Sequence, residues 1–141
     1  MSLLETGPYF HLTSDAALTE LWSELMGKGG FERRSLWLLF VDREQWTLPV
    51  LAPGDDMPLR PEQWHLDGLF GLVETLRRDD VVHSFAALLS RPGSASKTAD
   101  DRAWAAALTR TARDRGVPMW PVHLATFERV QPMAADDLIG A

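Results

Sequence analysis

The sequence predicts an α/β fold: one mixed β-sheet flanked by about three helices. Three observations carry that expectation. Residues 36–41 and 81–89 are mainly apolar runs of strand length, as expected of strands covered on both faces. Three other stretches place apolar residues at helical spacing. The segments alternate along 141 residues without a repeat, a low-complexity tract or a linker, which fits one domain. The expected order is α-β-β-α-β-α-β-β.

Each element has its own signal. Ser14 or Thr13 can cap a first helix over about residues 14–27, with Asp15 in the first turn and Leu18, Leu21, Trp22 and Leu25 on one face. Gly27, Gly29 and Gly30 supply its stop. Residues 36–41 make the first strand, and residues 46–51 its hairpin partner across a polar turn at 42–45. Pro49 cannot donate to a ladder, so the second strand is expected at an edge or with a bulge. Residues 52–60 read as a loop. Pro61 suits the first position of a second helix, whose buried stripe is Leu66, Leu69, Phe70, Val73 and Leu76. After the strand over 81–89, Thr98 and Asp101 have capping-box spacing and open a third helix that Gly116 ends. Residues 119–125 and 130–133 complete the sheet, and the tail from Ala134 is expected to fray.

Composition narrows function. The formal net charge of −6 disfavours nucleic acid and anionic membranes as partners. No apolar run approaches the ~20 residues of a membrane-spanning helix, and no secretory leader is expected. Cysteine is absent, which removes disulfides, thiolate metal sites and cysteine nucleophiles, and suits a cytoplasmic setting. Among the 14 basic residues lysine appears only as Lys28 and Lys97, a codon-usage bias and not a functional signal.

From residue 35 to about 137, the order of elements resembles the RadC branch of the JAMM/MPN metalloprotease-like family. The segment Arg91-Pro92-Gly93-Ser94 is similar to that family's His-Pro-Ser-Gly loop. Thr98-Ala99-Asp100-Asp101 is similar to its Ser-x-x-Asp helix start. The resemblance implies a cytidine-deaminase-like architecture, with the helix of residues 14–27 packed onto it. It also implies a degenerate site. JAMM enzymes hold zinc with two histidines and an aspartate, and a glutamate acts on the bound water. Carried over, the motif puts Leu89 and Arg91 at the histidine positions, Thr98 at the serine and Asp101 at the remaining ligand. Leucine has no lone pair to give, and arginine is a permanent cation without an acceptor. A three-ligand zinc site does not survive that loss, so no metal and no cofactor are expected. An Arg91–carboxylate pair is expected instead, with Asp101 the natural partner. Glu44, the acid near the first hairpin, has nothing to mark it as a general base.

Other chemistry is weaker than its bland counterpart. His11, His65, His83 and His123 lack metal-ligand spacing, although folding could bring His83 and His123 onto one sheet. Ser84, Ser90 and Ser94 lack a Gly-x-Ser-x-Gly elbow. Lys97-Thr98 misses the glycines of a Walker A loop. Arg91, Lys97 and Thr98 remain a candidate anion site at a helix start, against the reading of an ordinary loop with two solvated cations. Trp22 and Trp104 fall on helical core faces. Trp46, Trp64 and Trp120 are candidate interface anchors for a protein partner or a homodimer. Two functions stay open: a non-catalytic interaction or scaffolding module, which the missing ligands favour, and a small hydrolase or anion-binding enzyme using the loop from Ser90 to Thr98.

Overall fold

In chain order the elements are β1 (Leu4–Glu5), α1 (Asp15–Met26), β2 (Ser35–Val41), β3 (Thr47–Gly54), α2 (Gln63–Arg78), β4 (Ser84–Ser90), α3 (Ala99–Arg115), β5 (His123–Ala125) and β6 (Val130–Pro132). The structure is a computed structural model that describes residues 4–5, 10–26, 33–54 and 57–134. The strands form one six-stranded mixed sheet in the order β1-β3-β2-β4-β5-β6. β2 and β4 pair antiparallel over their whole length, from Ser35 opposite Ser90 to Val41 opposite Ser84. β4 and β5 are parallel and joined through α3, whereas β5 and β6 are antiparallel.

The apolar runs are continuous because both faces of the sheet are covered. Leu36, Leu38 and Phe40 of β2 and Phe85, Ala87 and Leu89 of β4 share a core with α2 and α3. Phe70 of α2 meets Phe85 edge to face, with centroids 5.5 Å apart. The alternate residues Leu39, Val41, Ala86 and Leu88 belong to a second core with Leu18, Leu21 and Trp22 of α1. Trp22 and Trp104 are both fully buried, as their helical positions predict.

Several expectations need correction. A two-residue strand, β1, precedes the expected first helix and pairs with β3, so β3 is an interior strand and not an edge. Pro49 is accommodated by the other device. The β2–β3 register shifts between Leu39 opposite Leu51 and Val41 opposite Thr47, so that the β3 side carries extra residues there. β3 also continues through Gly54, into the expected loop. Helix α2 begins at Gln63 after Glu62 as N-cap, leaving Pro61 one residue outside the helix. The glycines at 27, 29 and 30, and the tail after residue 134, lie outside the described residues.

The third helix follows its sequence signals. The Thr98 hydroxyl accepts from the Asp101 amide, and the Asp101 carboxylate accepts from the Thr98 amide. At the other end Gly116 adopts φ 66°, and Val117 donates back to the Ala112 carbonyl at 2.8 Å. A Cβ on Gly116 would meet nothing within 4 Å, so only backbone strain opposes a side chain there. Gly116→Ala is therefore expected to lower unfolding free energy by about 1 kcal/mol, with an unchanged denaturant slope. Chemical denaturation checks this; a neutral result would mean the cap relaxes out of the left-handed region.

Candidate functional site

Strand β4 positions the residues that the family resemblance singles out. Leu89 is fully buried in the α2/α3 core and offers nothing to a ligand. Two residues on, the chain leaves the sheet at Arg91, whose amide donates to the Ala125 carbonyl at the end of β5. The Arg91 side chain does not reach solvent. It is 6% exposed and points into its own loop.

All five guanidinium donors are engaged inside the protein. Nε reaches both oxygens of Asp101, at 2.9 and 3.1 Å. One Nη2 proton goes to Asp101 Oδ2 at 2.7 Å and the other to the Ser96 carbonyl at 2.9 Å. The Nη1 protons go to the carbonyls of Pro92 and Ser94, each at 3.0 Å. Alternate carbonyls of residues 92–96 thus converge on one cation. Gly93 makes the wrap sterically feasible: its φ is 98°, and a Cβ would stand 3.3 Å from Arg91 Nη1. The outside of the loop is also held. The Ala95 amide donates to the Glu128 carboxylate, and Gln131 Nε2 donates to the Ala95 carbonyl at 2.6 Å.

Asp101 is fully buried in the first turn of α3. Burial pushes its carboxyl up, but the hydrogen bonds from Arg91 and the Thr98 amide, with the guanidinium charge, outweigh that and hold it below the usual range. A second cation, Arg34, stands 3.5 Å from Asp101 Oδ1, and its buried Nη1 makes no hydrogen bond. Arg34, Glu128 and Gln131 escaped sequence reasoning, because only pairings between distant strands bring them to this loop.

The remaining candidates separate in space. Thr98 is the helix cap, its amide spent on Asp101, and the saturated Arg91 has no donor left for an external anion. Lys97 is half-buried in the same loop. Ser90 is buried, with its hydroxyl accepting from Trp37 Nε1 at 3.0 Å. Glu44 lies in the β2–β3 turn at the other end of β2, roughly 20 Å away along the strand, too far to serve this loop. His83 and His123 do not meet. His123 stands opposite Leu88, about 16 Å along β4 from residue 83. Desolvation lowers the pKa of His123, whose Nδ1 donates to the Pro121 carbonyl while Nε2 accepts from Thr19 at 2.7 Å. It is a neutral structural histidine. Among the described residues no group of three or more His, Asp or Glu is arranged to hold a metal ion, and no helix is long and apolar enough to cross a membrane.

Of the three candidate anchors, Trp64 is 65% exposed and Trp46 is 44% exposed. Trp120 is half-buried against the α1 core, and its Nε1 is bound to Ser84. The exposed rings are held in place. Trp64 stacks on His65 at 3.5 Å and donates to Glu62, and Trp46 lies against His11 at 4.7 Å.

No protein-family profile matches this chain, and no curated protein matches it significantly. The arrangement therefore has to be read from its own chemistry. A guanidinium with every donor committed is neither acid, base nor ligand at neutral pH; it is a strut. Arg91→Ala should strip three carbonyls of their donor and the buried Asp101 carboxylate of its bidentate partner, and lower stability by about 3–5 kcal/mol. Arg91→Lys keeps the charge but has too few donors and should fall between. The contribution of Asp101 is complete above the ordinary carboxylate pKa of ~3.9 and is lost as pH falls through its lower folded value. Denaturation of the three proteins at neutral and acid pH tests this, and an unaffected Arg91→Ala protein refutes it.

Proposed function

We propose that this chain is a non-catalytic protein-interaction module on a metal-free relative of the RadC/MPN fold, working in the cytoplasm. One observation carries the reading: the buried guanidinium of Arg91 fills the loop where, by the resemblance, a zinc ion would be held. Its positive charge and the aliphatic Leu89 leave Asp101 as the one acidic ligand position, and that carboxylate is already neutralised.

The surface around the loop supports an interaction role. Leu59, Trp64 and Phe127 are 62%, 65% and 76% exposed. All three belong to the Ser90 end of the sheet. Phe127 follows β5, and residues 57–62 are tied to the start of α3 by the Trp104 indole on the Pro58 carbonyl and by the Arg60–Asp100 ion pair. Exposed large apolar side chains are typical docking anchors, and Trp64 is held by His65 and Glu62. A second copy of the chain or another protein would use them in the same way.

The test joins metal analysis to association. Purified protein is expected to contain no stoichiometric zinc, and a chelator should leave its melting temperature unchanged. Sedimentation over a range of concentrations, and recovery of partners from cell extract, should reveal association that Trp64→Ala weakens by about tenfold or more. Stoichiometric zinc with chelator-sensitive melting would overturn the proposal.

A further inference from the structure

At the opposite end of the sheet the same fold leaves an open cleft. Its volume is about 400 Å³, within the ~300–1,000 Å³ of small-ligand sites. Four separate segments converge on it: the first turn of α1, the β2–β3 turn, the entry to β4 and the connection from α3 to β5. One wall is apolar, made by Met119 and Trp120. The Trp120 indole donates to the Ser84 hydroxyl at 3.0 Å, and its amide donates to the Phe85 carbonyl at 3.0 Å, so this wall is fixed to β4. The opposite rim is charged, with Arg43 and Asp15 both lining the space.

The charged groups are placed by the structure around them. Arg43 is anchored through Nη2 on Asp80 at 2.7 Å, and among the described residues no other bond engages its fork. The rest of that fork is available to a carboxylate. Among the described residues, the two non-glycine ones with positive φ, Gln45 at 70° and Asp80 at 57°, both serve this region: Gln45 lines the cleft and Asp80 holds Arg43. Asp15 sits on α1, which His123 ties to the other wall. His123 Nε2 accepts from the Thr19 hydroxyl at 2.7 Å, while Nδ1 donates to the Pro121 carbonyl. The buried histidine therefore sets the distance between the helix and the Trp120 wall.

We propose that this cleft binds a small zwitterion of amino-acid type, with its carboxylate on Arg43, its ammonium on Asp15 and its side chain against Met119 and Trp120. The donors of Arg43 not used by Asp80 suit a carboxylate and the Asp15 carboxylate suits an ammonium, and a zwitterion uses both. Ligand size follows from the volume and apolar character from the wall. The proposal is independent of the arginine-filled loop, which lies at the far end of β4.

Heteronuclear NMR on the isotope-labelled chain tests it, with L-phenylalanine and L-leucine as probes. Saturable shifts are expected at Ser84, Met119 and the Trp120 indole for at least one of them. Phenylalaninamide, which lacks the carboxylate, and N-acetylphenylalanine, which lacks the ammonium, should bind at least about tenfold more weakly than phenylalanine. Arg43→Gln and Asp15→Asn should lose affinity to a similar degree. Both side chains are exposed, so the spectra and melting temperatures of these variants should otherwise be preserved. Absence of saturable shifts up to roughly 10 mM of both probes would sink the proposal. So would equal binding of the blocked analogues, or undiminished binding by both variants.

Discussion

A single guanidinium holds the exit of β4 in shape. Loops that turn back on themselves leave carbonyls pointing inward, and buried carbonyls need donors. Here the carbonyls of Pro92, Ser94 and Ser96 all point at Arg91. The bidentate contact with Asp101 then fastens the loop to α3. The capping box depends on the same carboxylate, since Asp101 Oδ2 accepts from both Arg91 and the Thr98 amide. Loop shape and helix start are thus one construction, and it is fastened to β5 and β6 through Ala125, Glu128 and Gln131.

The sheet separates two surfaces of different character. At the Ser90 end the Arg91–Asp101 pair is internal, and Leu59, Trp64 and Phe127 face outward beside exposed charged groups such as Arg60. At the Ser84 end four segments stop short of one another, and charged and aromatic side chains face a shared space. The first suits a broad partner surface and the second a small molecule. β5 links them, because His123 belongs to the scaffold of the cleft and Ala125 receives the Arg91 amide. With only Leu124 between these anchors, little slack separates the two ends.

What was legible in the sequence follows the range of the interactions involved. The Thr98–Asp101 box, the Gly116 cap and the apolar faces of all three helices are local, and residue identities within a turn or two decide them. The Arg91–Asp101 pair was also legible, since a buried cation at a strand exit must find a carboxylate and the adjoining helix start supplies one. β1 was not, because two residues carry no periodicity and exist as a strand only through pairing with β3. For the same reason the choice between an edge and a bulge for β3 stayed open: Pro49 reports the loss of a donor but not which remedy the fold adopts. Trp120 shows the limit for side chains. Its strand-like context left burial undecided, and the deciding contact, Ser84, is 36 positions away.

Why an ion pair rather than an apolar plug fills the loop follows from the same accounting of partners. A buried salt bridge is weak evidence for stability, because aliphatic replacements of equal volume are often neutral or better. That equivalence holds only where the replaced groups have no further obligations. Arg91 satisfies three main-chain carbonyls besides its carboxylate, and no aliphatic side chain can donate to them. An apolar substitute would force residues 92–96 outward to find water, taking Ala95 from Glu128 and Gln131. The arginine therefore holds residues 92–96 in the conformation that turns these three carbonyls inward.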